Sequence, residues 1–169
     1  MTTLVLTLVG DDRAGLVATV ASVVDAHRGN WQNSQLAELS GAFAGIVEVS
    51  VPAERAQALT DALGAIEGLV TVAVPAAAAA AEGNARRIGL QVIGNDHPGI
   101  VREISAALSG SGLSIERMTT QTRDAAMSGG RLFDAAIEAV VPPSVDLEYV
   151  RAELERVAAE IQVDVTLSD

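Results

Sequence analysis

One stretch of this sequence is written twice, and the repeat constrains everything else. Val9-Gly10-Asp11-Asp12-Arg13-Ala14-Gly15-Leu16-Val17 returns as Ile93-Gly94-Asn95-Asp96-His97-Pro98-Gly99-Ile100-Val101. From Gly10 to Gly94, Asp12 to Asp96 and Gly15 to Gly99 the offset is constant at 84 (94−10, 96−12, 99−15). Each copy follows an apolar run, Leu4 to Leu8 and then Ile88 to Val92, and each opens a helix-like pattern. A strand, an acidic turn and a helix repeated at fixed spacing make a tandem of one small domain. The turn is where function is expected.

Leu4 to Val9 is apolar nearly throughout and reads as a central strand buried on both faces. Leu16, Val20, Val23, Val24 and His27 then recur on one helical face, and Gly29 is expected to stop that helix. Asn30 to Leu39 and Ala42 to Val51 read as a hairpin around Ser40-Gly41. Ala56, Leu59, Leu63 and Ile66 give a second helix closed by Gly68, and Leu69 to Val74 a last strand ended by Pro75. The first half is therefore β-α-β-β-α-β.

The second half repeats it. Ile100, Ile104, Ala107 and Leu108 restate the first helical face, and Gly112 takes the place of Gly29, give or take a residue. Leu113 to Arg123 and Gly130 to Val141 form the hairpin strands. Phe43, Glu48 and Pro52 align with Phe133, Glu138 and Pro142 at an offset of 90 (133−43, 138−48, 142−52), so six extra residues (90−84) belong in the second hairpin, around Asp124 to Gly129. Leu147, Val150, Leu154, Val157 and Ile161 mark the final helix, and Val163 to Leu167 the closing strand. The expected fold class is α+β, two ferredoxin-like units with antiparallel four-stranded sheets and the helices on one face. The domains are expected at 1–75 and 86–169, joined by an alanine-rich linker at 76–85 with room for one helical turn. Each sheet leaves a face uncovered, so packing of the units or a homodimer is expected.

This fold serves many functions, so composition has to sort them. With a net charge of −11 and only 2% aromatic residues, the chain lacks both the cationic surface and the stacking platform of a nucleic-acid binder. It has no cysteine, which removes disulfides, thiol catalysis and the Cys pair of a metal-chaperone domain. An acylphosphatase-like site would need a phosphate-shaped Arg loop, and Arg13 sits beside two aspartates with His97 in its place in the second copy. No apolar run reaches about 18 residues, so no membrane span is expected. Met1-Thr2-Thr3-Leu4 lacks a basic leader, and a cytoplasmic location is the expectation. No set of nucleophile, base or metal ligands converges on one loop: Asp96-His97 has no indicated nucleophile, Ser105 included, and Asp11-Asp12 alone make a poor cation site. No enzyme, metal or cofactor is expected.

The two turns resemble the D-R-P-G-[IL]-[IV] turn of ACT domains, small-molecule regulatory modules of amino-acid metabolism. Gly29-Asn30-Trp31 and Gly112-Leu113-Ser114-Ile115 are similar to that family's G-x-N-I approach to the second strand. Two ACT domains with nothing attached are similar to the glycine cleavage system transcriptional repressor family. The resemblance implies an amino-acid sensor that modulates a partner protein, either a DNA-binding regulator or a metabolic enzyme. The copies depart from the pattern in opposite ways: Ala14 replaces proline and Trp31 replaces isoleucine in the first, and Ser114 replaces asparagine in the second.

The turn suits a free amino acid. The first N–H groups of a helix have no intrahelical partner and attract a carboxylate. Gly15 and Gly99 admit close approach of the backbone, and an acidic or amide side chain nearby can accept from an ammonium group. The candidate contacts are Asp11, Asp12, Arg13, Ala14, Gly15, Leu16 and Asn30 in the first copy, and Asn95, Asp96, His97, Pro98, Gly99, Ile100 and Ser114 in the second. Glycine or serine is the first expectation, held by one turn and the adjacent strand. A structural reading stands beside it: Asp12 and Asp96 as helix caps worth about 1 kcal/mol, the glycines as turn formers, His27 at a helix end, and Trp31 and Phe43 as core or interface anchors. The departures at Ala14 and Ser114 support a rival function, a ligand-free interaction or oligomerisation module.

Overall fold

The alternation of side chains along a strand decides which residues form the core. In the computed structural model, which describes residues 1–77, 85–125 and 129–168, the first strand β1 (Thr2–Asp11) turns Leu4, Leu6 and Leu8 inward. They meet Leu16, Val20 and Val24 of helix α1 (Leu16–Ala26) and Leu59 and Leu63 of helix α2 (Ala56–Gly64), which a short 3-10 turn at Ala53–Arg55 precedes. Strands β2 (Asn30–Leu39), β3 (Ala42–Val51) and β4 (Leu69–Pro75) complete a four-stranded antiparallel sheet in the order β2-β3-β1-β4. Each fully buried leucine in this core contributes about 2 kcal/mol relative to exposure.

The second half repeats the architecture with β5 (Arg86–Asn95), α3 (Ile100–Gly110), β6 (Ser114–Asp124), β7 (Arg131–Val141), α4 (Leu147–Ile161) and β8 (Val163–Ser168). Its sheet order is β6-β7-β5-β8, and Ile88, Leu90 and Val92 pack with Ile100, Ile104, Leu108, Val150 and Leu154 in a core of its own. The chain divides into two compact units, Met1–Ala80 and Ala81–Asp169. The βαββαβ fold is present twice, as the sequence indicates. Residues 78–84 of the expected linker, and its helical turn with them, lie outside the described residues.

Several details correct the sequence reading. β1 is central but buried on one face only, because both helices lie on that side: Thr7 and Val9 are exposed. α1 is not stopped by a left-handed Gly29. Arg28 takes that conformation at φ 57°, and Gly112 at φ 80° is its true counterpart, 84 residues on (112−28). Gly29 is needed for space, since a Cβ there would lie 2.8 Å from Val24 Cγ1 and 3.2 Å from Val49 Cγ1. The Ser40-Gly41 hairpin has φ of 52° and 85°, the two left-handed residues of a type I′ turn. In the second hairpin the ladder runs one pair further, to Asp124 opposite Arg131, and the Ala125 N–H donates to Gly130 O at 2.8 Å. Residues 126–128 of the expected insertion lie outside the described residues.

Phe43 is buried and Trp31 packs half-buried against the first core. Beside that core, and among the described residues, the Thr71 hydroxyl on β4 is buried without a hydrogen-bond partner. The equivalent position in the second unit, opposite Val92 as Thr71 is opposite Leu8, is Val165. Replacing Thr71 by valine removes an unsatisfied hydroxyl while keeping shape, so Thr71→Val is expected to stabilise the first unit by about 1 kcal/mol in urea unfolding.

Candidate functional site

A helix that joins two parallel strands must carry the chain back to the end from which the first strand started. β1 and β2 are both antiparallel to β3, so α1 makes such a return, and the ends of the sheet acquire different characters. At one end Asp11 lies opposite Ala42, which lies opposite Leu39, beside the Ser40-Gly41 turn. At the other end Asn30 lies opposite Ser50, which lies opposite Thr3. From Thr3 to Asp11 the extended chain rises by eight residue steps, about 27 Å. The second unit is built alike: Ser114, Val140 and Arg87 align at one end, and Arg123, Leu132 and Asn95 at the other.

Each unit therefore keeps its turn and its second-strand start apart. Asn30 does not join Asp11 to Gly15, and Ser114 does not join Asn95 to Gly99. The arrangement of one turn with the adjacent strand start is corrected by this topology. What lies beside each turn is the hairpin and the end of the second helix.

The turns themselves match closely. Asp12 N–H donates to Gly41 O at 2.9 Å, and Asp96 N–H to Arg131 O at 2.8 Å, tying each turn to its hairpin. The next residue reaches the other way. Arg13 Nη2 donates to Glu67 O at 2.6 Å, just past α2, and His97 Nε2 pairs with Ile161 O at 2.8 Å, the last residue of α4. Arg13 and His97 thus clasp the C-terminal end of the second helix, where a cation also meets the negative end of the helix dipole. Gly10 and Gly94 permit the close approach behind the turn, since a Cβ on Gly10 would lie 2.4 Å from Gly68 O and one on Gly94 2.6 Å from Val163 Cγ1.

Gly15 and Gly99 stand at the N-cap positions of α1 and α3 with φ of 83° and 104°, and neither helix has a side-chain cap. The capping role expected for Asp12 and Asp96 is therefore absent, because each lies three residues before the cap. The contrast is α4, where Asp146 accepts from Glu148 N–H at 3.0 Å. The first N–H groups of α1 and α3 thus have no capping side chain. A Cβ at Gly15 would have no heavy atom within 4 Å, so glycine is required there for its backbone angle, and the space in front is open. Leu16 and Ile100 are core residues, so only their backbone can face a ligand. Asp11, Asp12, Ala14, Asn95, Asp96 and Pro98 are exposed.

The second turn carries a cation that the motif comparison did not single out. Arg102 Nη2 comes within 3.9 Å of the position of a Cβ on Gly99, and the side chain is ion-paired to Glu103. The first copy has Ala18 there, 84 residues earlier (102−84). A cation in the first turn of an amphipathic helix, against the dipole, was the available signal. Among the described residues no group of three His, Cys, Asp or Glu side chains is placed to hold a metal ion, and no helix is long and apolar enough to cross a membrane.

Two predictions follow from the clasp and the cap. The His97 ring nitrogens face two carbonyls, Ile161 O and Pro98 O, and only the imidazolium can donate to both. These bonds, Ile161 first, raise its pKa above the ordinary 6.5, with Asp96 adding to them. A raised folded value means that the stabilisation is complete below the unfolded pKa and is lost as pH rises through the folded one. Urea midpoints of the wild type should therefore fall between about pH 6 and pH 8, and His97→Asn should remove that part of the slope. Gly99→Ala should cost about 1–2 kcal/mol through its left-handed backbone, and Gly99→Asn less, as read by the same unfolding curves.

The comparisons agree with this architecture. The ACT domain family model matches residues 2–67. The crystal structure of an unknown protein from Galdieria sulphuraria is 30% identical, covers 99% of this chain and 97% of its own, and superposes with a TM-score of 0.89. A crystal structure of a candidate glycine cleavage system transcriptional repressor is 21% identical, covers 99% of this chain and 96% of its own, and gives a TM-score of 0.70. None of the curated protein sequences matches the chain. The ACT match covers the first unit and the same βαββαβ unit is built again in the second, so the chain has a tandem ACT fold.

Proposed function

We propose that this protein is a regulatory sensor without catalytic activity of its own, binding a small amino acid, glycine or serine first, at its acidic turns. It acts in the cytoplasm as a homodimer on a protein partner, either a DNA-binding regulator or an enzyme of glycine cleavage. The observation that carries this reading is the uncapped, glycine-initiated helix start, built twice, beside an exposed carboxylate. Backbone N–H groups at such a start can take a ligand carboxylate, and Asp12 or Asp96 can accept from its ammonium group. In the second turn Arg102 adds a cation for the carboxylate, and the clasp by His97 holds the loop in place. The whole-chain similarity to a candidate glycine cleavage repressor is the reason for the choice of pathway. The net charge of −11 points to regulation through a protein partner instead of direct DNA contact.

Thermal unfolding across the twenty amino acids, with calorimetric titration of any that shift it, tests the reading. A ligand at about 100 times its dissociation constant stabilises by about 2.7 kcal/mol. A selective shift with glycine or serine is expected, weakened in Asp96→Asn or Asp12→Asn, whose side chains are exposed and carry no capping duty. No shift with any of the twenty would make the ligand-free interaction module the better account.

A further inference from the structure

The two units solve the same surface problem in opposite ways. Each sheet has a face turned away from its helices. In the second unit that face is polar: Gln91 and Gln121 both donate to the Asp134 carboxylate, and Arg117 pairs with Glu138 at 3.6 Å. In the first unit the same face carries a cluster of aliphatic side chains on and beside β4, with the exposed Thr7 between Val72 and Ile46. Val70, Val72 and Val74 on β4 are 66%, 55% and 48% exposed, and Val9 and Ile46 on the neighbouring strands 49% and 46%. The contrast is positional. Gly10 pairs with Leu69 and Gly94 with Val163, an offset of 94 (163−69), so Asp164, Thr166 and Ser168 stand where Val70, Val72 and Val74 stand in the first unit. The inward positions between them stay compatible with a core in both units, so the difference is confined to the open face.

We propose that the valine-lined open face of the first unit packs against the same face of a second copy of this chain, sheet on sheet about a twofold axis. Those five side chains and the small residues between them offer roughly 500–600 Å² per copy, so a symmetric pair covers about 1,000–1,200 Å², the lower end of the range for specific interfaces and the size of a reversible dimer. The patch carries no charge among those five positions, which suits an identical apolar patch and gives a charged partner nothing to pair with. Its polar limit is reached on β3 at Glu48, opposite Val5, where Asn33 of β2 donates to the Glu48 carboxylate at 2.7 Å. β-branched side chains on two such faces interdigitate at the usual sheet spacing of about 10 Å. This inference deepens the homodimer of the sensor reading by naming the surface that forms it, and because it concerns the face of the sheet and not the turns, the test below lets the two fail separately.

The test is the mass of the full chain in solution, by light scattering and sedimentation at micromolar concentration. The decisive variant carries Val70→Asp, Val72→Thr and Val74→Ser, residues that the second unit already accommodates in the same frame. A second variant, Ile46→Asp, lies two strands from the β4 edge and separates face packing from edge-to-edge pairing of β4. The wild type is expected to be a dimer and both variants monomers, with circular dichroism and cooperative unfolding retained. A monomeric wild type, or a dimer that survives Ile46→Asp, overturns the proposal. Amino-acid binding that persists in the monomeric variants leaves the sensor reading intact, and dimerisation without any amino-acid effect leaves this one intact.

Discussion

A four-stranded sheet whose two crossover helices both pack on one side has another side that nothing in the same unit can cover. This follows from the βαββαβ order and the hand of its crossovers, and the rest of the molecule is arranged around it. The helix-covered side gives a compact aliphatic core, with Leu6, Leu59 and Leu63 fully buried in the first unit and Leu108 and Val150 in the second. The bare side is where the two copies have diverged. One satisfies it with a hydrogen-bonded polar surface, the other with valines that remain exposed. Duplicated units with the same fold thus carry different surface chemistry, and that difference separates the solvent-facing unit from the one suited to association.

The same crossover geometry governs the candidate site. Because α1 returns the chain to the starting end of the sheet, everything that follows β1 directly is grouped with the hairpin and the end of the second helix. Backbone bonds from Asp12 and Asp96 fix the turn to the hairpin, and Arg13 and His97 fix it to the helix end. The turn is consequently held from two sides while the first N–H groups of α1 and α3 lack a capping side chain. In the first turn the Leu16 N–H donates back to Arg13 O at 3.3 Å, and the donors that follow it are the ones a loop braced in this way can present to a small charged ligand.

Much of this was legible in the sequence because it is periodic. The repeat offset, the helical faces and the Ser40-Gly41 turn all rest on local spacing, and the structure places them as read. What the spacing could not reveal was direction. Val5, Thr7 and Val9 alternate with Leu4, Leu6 and Leu8, yet valine and leucine are both apolar, so the strand looked buried on two faces. Asn30 stands fifteen residues after Gly15 (30−15), and nothing in that number says that α1 carries it to the far end of the sheet. The clasps by Arg13 and His97 span 54 and 64 residues; the only local hint was a basic residue at the same place in both turns. Arg28 in a left-handed conformation gave no hint at all, since its neighbour Gly29 is the residue that such a position ordinarily takes.

The order of the two units along the chain gives the valine face a temporal meaning. The first compact unit ends at Ala80, and the second unit alone adds 89 residues after it (169−80). At about 5–20 residues per second, that is about 4–18 s of synthesis. Throughout that interval the aliphatic face is carried by the unit that emerges first of the two. Neighbouring ribosomes on one message hold identical nascent chains close together, so a face that matches itself meets its own kind before it meets the rest of the cell.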